Sequence, residues 1–395
     1  MPNAYTSTGS TSLGGTVGGA GLVQKAYDRL LEFALRAEPL IRSVADKTPA
    51  QQSIPGSTIV LQKYVDLSAA TGTLTETVDP DAVALSTPDQ VTITLNEYGN
   101  SVLVTRALEL FSLADVDPAI SNVIAFNLAD SIDKVAMETL RGGTNVIYGG
   151  SATSTATVAA ASTLDSADIR KAVAKLRANK AAYRKGSMYW VGIHPEVSHD
   201  LRAETGAAGW RDPHNYQAGE NIWAGEIGAY EGAYFVESPR LFNSKSGADQ
   251  TALATAPAVS GVSGEFTIVV ANGAFGGRAE VGDKISGTNV GAAAKITAIS
   301  VGATNTTLTV SVANSGTVGT NTLTVTPVTR VFNTIVAGKQ AMAQAVAEEP
   351  HVVIGNVTDK LMRFRPMGWY GVLGFARYRE EALYRLETGS SIAAL

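Results

Sequence analysis

MYWVGIHPEVSHDLR, residues 188–202, decides how this chain reads. Met188–Ile193 is an apolar run of strand length, and the His194–Pro195 step starts a short helix, because proline is tolerated in a first helical turn. Two further blocks share that character. They are IWAGEIGAYEGAYFVESP, residues 222–239, and MGWYGVLGFARYREEALYRLETGSS, residues 367–391. Each sets an apolar strand beside glycine and gathers charge at the strand ends. None of the three matches a catalytic motif.

Upstream of these blocks the chain alternates helix and strand signals. Residues 1–21 are Gly, Ser and Thr with almost no charge, a composition that cannot bury enough apolar area to offset the entropy of ordering. Residues 22–38 show helical spacing, with Leu22, Tyr27, Leu30, Leu31, Ala34 and Leu35 on one face and Pro39 ending the run. Thr58–Leu67 and Gln90–Tyr98 alternate as strands, and the Thr, Gly, Asp and Pro-rich segment between them is too long for a tight turn. The pair reads as a long hairpin with a large tip. The best helix is Pro118–Arg141, with Asp117 as N-cap and Gly142–Gly143 closing it. Its apolar stripe is Ile120, Val123, Ile124, Leu128, Ile132, Val135 and Leu140. After a Ser/Thr/Ala linker, Ser151–Thr163, a second helix starts at Asp165 and runs through Ile169, Val173 and Leu176. Mixed α+β is the expected class.

Residues 243–329 differ from everything around them. Between Thr251 and Pro327 the charged residues are Glu265, Arg278, Glu280, Asp283, Lys284 and Lys295, and the aromatics are Phe266 and Phe275. Alternating runs at Phe266–Val270, Lys295–Val301, Thr307–Val312 and Thr322–Thr326 predict a small β-sandwich or barrel. Pairing of a strand near 241 with one near 330 would let this segment enter and leave at one surface point.

Charged residues make up 17% of the 395, against roughly 25% in ordinary soluble proteins. A surface buried in contacts between copies, poor in charge at its centre, accounts for that depletion. The formal net charge is −5, so no global basic field draws in nucleic acid. There are no cysteines, hence neither disulfides nor thiolate metal sites. No stretch approaches the roughly 20 apolar residues of a membrane-spanning helix. The N-terminus lacks the pattern of a secretory signal, so assembly in the cytoplasm is expected.

Motifs with chemical potential fail on context. GGTVGGAG, residues 14–21, has no strand before it and no Gly-Lys-Ser/Thr ending, and reads as part of a flexible arm. His194 and His199 do not have His-Glu-x-x-His spacing, and His214 and His351 lie far off, so a structural His–Pro turn with His199 exposed is expected. The pairs Asp79/Asp81 and Asp115/Asp117 lack the further oxygens and the later Glu of a calcium loop. No Gly-x-Ser-x-Gly elbow supports Ser-His-Asp catalysis. Glu348–Glu349 and Glu380–Glu381 are strand neighbours pointing to opposite faces, so neither makes a dyad. Arg363, Arg365, Arg377, Arg379 and Arg385 gather around Trp369, Tyr370 and Tyr378, which suits nucleic acid or ion pairing. Ion pairing at interfaces is favoured, because Glu380, Glu381 and Glu387 stand beside them. No catalytic, cofactor-binding or metal-ligating residue is assigned, and no cofactor is expected.

In their order and character the three blocks resemble the tailed-phage major capsid proteins of the Hong Kong 97 fold, most closely the N-four-type coat-protein family. The similarity covers about Leu22 to Leu241 and Arg330 onward, and leaves 243–329 as an insertion. It implies an α+β capsid fold with an N-terminal arm and helix over 1–50 and an extended loop hairpin with flanking strands over 51–110. A peripheral domain with a spine helix would occupy 111–160 and the first part of an axial domain 161–242. The inserted small all-β domain spans 243–329, and 330–395 returns to the axial and peripheral domains. The implied function is that of a structural protein, not an enzyme. Copies would self-assemble into hexamers and pentamers of an icosahedral phage head around double-stranded DNA. The implied partners are copies of itself, scaffolding, portal and decoration proteins, and packaged DNA in non-specific contact; no membrane is involved. The insertion reads first as a decorating domain on the shell surface; the alternatives are a host- or glycan-binding module, against which its scarcity of aromatics argues, and structural bulk. Intersubunit Lys–Asn crosslinks have no matching motif here. The alternatives are an encapsulin-type shell protein, which the long arm and added domain disfavour, and an extracellular adhesin or surface-layer module, which the absence of a signal disfavours.

Overall fold

The computed structural model describes residues 39–47, 57–64, 66–67, 69–74, 76, 83–84, 89–106, 116–204, 226–241, 243–355, 361 and 363–392. The arm, the helix expected over 22–38 and much of the hairpin tip lie outside the described residues. From a 3-10 turn at Ile41–Val44 the chain enters β1 (Asp46–Lys47), β2 (Thr58–Lys63), β3 (Asp89–Thr94) and β4 (Asn96–Thr105), then α1 (Val116–Arg141). Next come β5 (Val146–Tyr148), α2 (Ser166–Ala178), β6 (Tyr189–Ile193), α3 (Pro195–Ala203), β7 (Glu226–Tyr230) and β8 (Ala233–Glu237). β9 (Asn243–Asp249) leads into β10 (Ala256–Ser260), β11 (Thr267–Ala271), β12 (Lys284–Gly287), β13 (Ile296–Val301), β14 (Asn305–Val310) and β15 (Thr322–Thr326). The last strands are β16 (Val328–Ala337), β17 (Met342–Ile354), β18 (Phe364–Arg377) and β19 (Leu383–Thr388).

The described residues fall into two compact units. The smaller comprises parts of 100–126 and 352–369; the larger comprises parts of 37–99, 127–351 and 370–395. In the smaller unit Arg106 N donates to Arg363 O at 2.9 Å and Gly355 N to Pro366 O at 2.9 Å.

The larger unit is organised by a seven-stranded sheet, β5-β19-β16-β6-β8-β7, with β9 paired to the outer stretch of β16. Apolar layers cover both of its faces, which is why β6 reads as a continuous apolar run rather than an alternating one. Tyr189, Val191 and Ile193 point to the layer where Ile169, Val173 and Leu176 of α2 and Val197 and Leu201 of α3 pack. Trp190 points to the other, with Ala136 and Leu140 of α1 and with Ile335 and Ala337 of β16. Gly192 is required between them, because a Cβ there would sit 2.5 Å from the Trp190 ring.

α1 begins at Val116, two residues before the expected start, so Asp117 falls within its first turn rather than capping it. Helix ends shift by this much with ease, and Pro118 still occupies the turn where its missing N–H is harmless. The stripe needs a larger correction. Ile124, Ile132, Ala136 and Leu140 are buried, but Val123 is 46% exposed while Asp133 is buried. Hydrogen bonding, not hydrophobicity, puts Asp133 inside: its Oδ1 accepts Arg42 N at 3.0 Å, and Arg240 Nε lies 3.5 Å from Oδ2. Arg240 also pairs with Asp130, one turn-facing neighbour along the helix.

The insertion forms a six-stranded antiparallel sheet, β12-β15-β10-β11-β14-β13. Its two end strands meet through the Lys284–Lys295 bridge and the bonds Ile285 N to Ala294 O and Ile296 N to Asp283 O, both 2.9 Å. The sheet therefore curls into a small barrel whose end strands join at their near ends. Its core includes Ile268, Val270, Phe275, Ile285, Leu308, Leu323 and Val325. Four of its strands match the alternating runs in the sequence. β10 and β12 were not expected, since Pro257 and the glycines around Lys284–Gly287 break the alternation. The expected pairing at the root is present: Asn243, Ser244 and Lys245 of β9 lie opposite Phe332, Val331 and Arg330 of β16.

β2 and β3 form the predicted hairpin, in register from Thr58↔Thr94 to Lys63↔Asp89. Its base packs Ile59 and Ile93 against Ala343 and Ala345 of β17, and Lys63 Nζ holds Glu381 at 3.0 Å.

Candidate assembly surfaces

Each charged or polar group singled out in the sequence has a local structural partner where it is described. His194 is the N-cap of α3, its Nδ1 accepting Glu196 N at 3.3 Å. It is 8% exposed and packs on Phe332, ring centroids 4.8 Å apart. Burial, reinforced by the positive charge of Arg330, holds it down at about 4, so the ring is neutral at physiological pH, as an accepting Nδ1 requires. His199 is exposed on α3 and contacts Asp200 at 3.3 Å. His351 is exposed on β17 near Glu348. His214, Asp79, Asp81, Asp115, the side chain of Asp117 and residues 14–21 lie outside the described residues. Among the described residues no group of three or more His, Cys, Asp or Glu side chains could hold a metal.

α2 carries a carboxylate pair at its start. Asp165 caps it, accepting Asp168 N at 2.8 Å, and Glu204 accepts Ser166 N at 3.0 Å. Asp168 Oδ2 is buried with no hydrogen-bond partner. Burial first, and the charge of Asp165 second, push Asp168 up to about 6. No sequence signal distinguished Asp168, because an acidic residue in a first helical turn is ordinarily a surface feature.

Arg363 and Arg365 belong to the smaller unit; Arg377, Arg379 and Arg385 to the larger. Arg377 pairs with Glu380 at 2.9 Å and donates to Thr139 O at 3.1 Å. Arg385 pairs with Glu387 at 3.0 Å and donates to Arg141 O. Two cations thus satisfy the last carbonyls of α1, where the helix dipole favours positive charge. Arg379 lies over the Tyr378 ring at 5.7 Å. Glu380 and Glu381 sit in a 3-10 turn rather than a strand, and take separate partners, Arg377 and Lys63. Glu380 and Glu387 thus pair with arginines of the same chain, and Glu381 with Lys63.

Uncovered apolar side chains are concentrated elsewhere. On the hairpin Val60, Tyr64, Leu67, Leu74 and Val83 are exposed, Leu74 at 78%. In the smaller unit Val102, Leu103, Val123, Val352, Ile354 and Leu361 are exposed. In the larger unit apart from the hairpin and barrel, the exposed large hydrophobics among the described residues are Tyr183 and Ile392. The barrel also exposes Val259, Val262, Phe266, Val281, Val301 and Val312. Apolar area left in water in such concentration marks surfaces that other chains can bury. No helix among the described residues is long and apolar enough to cross a membrane.

Comparison with known proteins agrees with that geometry. A search of curated protein sequences finds no match. Among solved structures, the cyanophage Pam1 capsid is similar at TM-score 0.58 and 12% identity, over 94% of this chain and 97% of that one. The capsid of Ralstonia phage GP4 is similar at TM-score 0.58 and 13% identity, over 95% and 97%. The acid-stable capsid of Helicobacter pylori bacteriophage KHP30 is similar at TM-score 0.55 and 13% identity, over 95% and 98%. At such identities the likeness establishes the fold, which is the Hong Kong 97 type. The family described as phage capsid protein matches residues 40–384. That match spans most of the chain, which therefore belongs to the phage capsid protein family as a structural major capsid protein, a self-assembling component of the virion and not an enzyme.

Proposed function

We propose that copies of this chain close into hexamers and pentamers, and that these tile an icosahedral head around double-stranded DNA. The observation that carries this reading is the concentration of exposed apolar side chains on the hairpin, the smaller unit and the barrel, against two on the rest of the described chain. In this reading 1–50 is an arm with its helix and 51–110 the extended loop. The peripheral domain with its spine helix is 111–160, and 161–242 with 330–395 supplies the axial domain and the return to the periphery. Residues 243–329 decorate the shell. Each subunit lends loop and arm to its neighbours, so many modest contacts sum to one stable shell. With a net charge of −5, contact with packaged DNA is non-specific and weak. Scaffolding, portal and decoration proteins act alongside it.

Negative-stain electron microscopy and size-exclusion chromatography of the purified chain test the reading. Closed shells or capsomer rings are expected. A monomer that stays monomeric after the other head proteins are added would overturn it.

A further inference from the structure

The barrel and the body that carries it share no buried apolar cluster. Every buried hydrophobic residue of the barrel core lies between 256 and 325, and the nearest layers of the body draw on none of them. Nor does any strand of the barrel sheet pair with a strand of the body's sheet among the described residues. What joins the two is polar. Lys245, on β9 of the body, places Nζ 2.6 Å from Asp283 Oδ1 and 2.8 Å from Glu280 Oε2, both on the barrel. Arg330, paired with Lys245 across β9 and β16, reaches Glu280 at 3.3 Å. Val328 N donates to Asp283 Oδ1 at 3.3 Å, and Glu280 N to Asp283 Oδ2 at 2.9 Å.

The site is built rather than incidental. The Lys245 side chain is 13% exposed and that of Asp283 1%. The lysine stem passes directly over Gly282, whose φ of +99° and lack of a Cβ are both needed: a Cβ would lie 2.8 Å from Lys245 Cβ. Beside the ion cluster opens a polar cleft of about 750 Å³, so the junction has room to move instead of a dry packed seam. A second pair, Lys284–Asp249 at 2.5 Å, stands exposed at the rim.

We infer that the barrel is a rigid body held on the capsid-forming body by a charge latch, Lys245 clasped between Asp283 and Glu280, and that opening this latch lets the barrel reorient without unfolding. Breaking a buried ion pair is costly when one charge is left unmatched, which keeps the latch shut in the isolated chain. Contacts from neighbouring copies can offset that cost, so one sequence can set its barrel at different inclinations in non-equivalent positions of a shell. This use rests on the shell reading. The latch itself does not.

Hydrogen–deuterium exchange on the unassembled full-length chain tests it. In Lys245→Met the root amides of Gln250 and Val328 should exchange at least tenfold faster. Amides of β11, β14 and β15 in the barrel, and of β16 beyond Phe332 in the body, should keep their protection. Glu280→Gln, a change at a half-exposed residue that leaves folding intact, should show the same pattern more weakly. Lys284→Met, at the rim, should leave the root unchanged. Unchanged root exchange in Lys245→Met and Glu280→Gln would overturn the latch, as would loss of barrel protection together with the root, or an equal effect from Lys284→Met. Negative-stain images of the same samples report assembly separately, so failure of the shell reading is distinguishable from failure of the latch.

Discussion

His194 lies against Phe332 with ring centroids 4.8 Å apart, and its Nδ1 takes the N–H of Glu196 at 3.3 Å. One side chain therefore starts α3 and fills the layer beneath it, and does both only while neutral. Burial lowers its pKa from 6.5 to about 4, so the folded state refuses a proton that the unfolded chain accepts. The stabilisation is present above pH 6.5 and is lost as pH falls toward 4, about 2–3 kcal/mol in all. His194→Asn keeps a capping acceptor without the titration. Denaturant melts at pH 7.5 and 4.5 should show a smaller acid loss in this variant than in the wild type; equal losses would remove His194 as the cause.

Asp168 works with the opposite sign. Its folded pKa of about 6 stands above the ordinary 3.8, so its contribution is fully present below pH 3.8 and is lost as pH rises through 6. Asp168→Asn replaces the orphaned Oδ2 with an amide nitrogen that can donate to Asp165. The variant should be more stable than wild type at pH 7.5 by about 1–3 kcal/mol, with no gain at pH 3.5. A loss of stability at pH 7.5 would refute the assignment. The two groups oppose each other between pH 4 and 6, so the intact chain's profile there should be flatter than that of either variant.

Asp133→Ala leaves Arg42 N without its buried acceptor and removes one of the two carboxylates that hold the Arg240 guanidinium. We expect a loss of about 3 kcal/mol in chemical denaturation. Val123→Ser, on the exposed flank of the same helix, should change stability by less than about 0.5 kcal/mol.

Leu74→Glu and Leu103→Glu each place a charge on an exposed apolar surface. Neither should move the unfolding midpoint of the unassembled chain, and each should slow or weaken assembly at least tenfold by light scattering. Wild-type assembly from both variants would mean that these surfaces stay wet in the shell.

Gln250 N donates to Pro327 O at 2.9 Å, so the barrel can be removed there and the ends rejoined by a short Gly/Ser linker. The shortened chain should remain soluble with its body intact by circular dichroism. The wider cut over Ser244–Thr329 would strip β9 from β16 and should fare worse, because Ala248 N also donates to Val158 O at 2.8 Å. Insoluble product from the narrow cut would make the barrel part of the body's folding unit.

Local chemistry was legible wherever one side chain answers one backbone need. The helix start at Asp165, the His194–Pro195 step, the alternation of β2 and β3 and the exposed His199 all follow from nearest neighbours in sequence. Strand β12 was not legible, since Lys284–Gly287 has no alternation and becomes a strand only because β15 lies beside it. The burial of Asp133 was not legible for a related reason: it depends on Arg42 and Arg240, 91 and 107 positions away. That Arg377 and Arg385 reach carbonyls at the end of α1 was not legible either, since nearness in sequence at a strand end does not fix which helix terminus a long side chain will reach.

The sequence by itself determined the α+β class, the family resemblance and the place of the insertion, because periodicity and composition act over short windows and survive any tertiary arrangement. The tertiary structure decided which apolar residues stay in water, which carboxylates are buried, and how the barrel is attached. Those are properties of distant segments brought together, where a charge such as Lys245 acquires its role only from the Asp283 and Glu280 that the fold places around it.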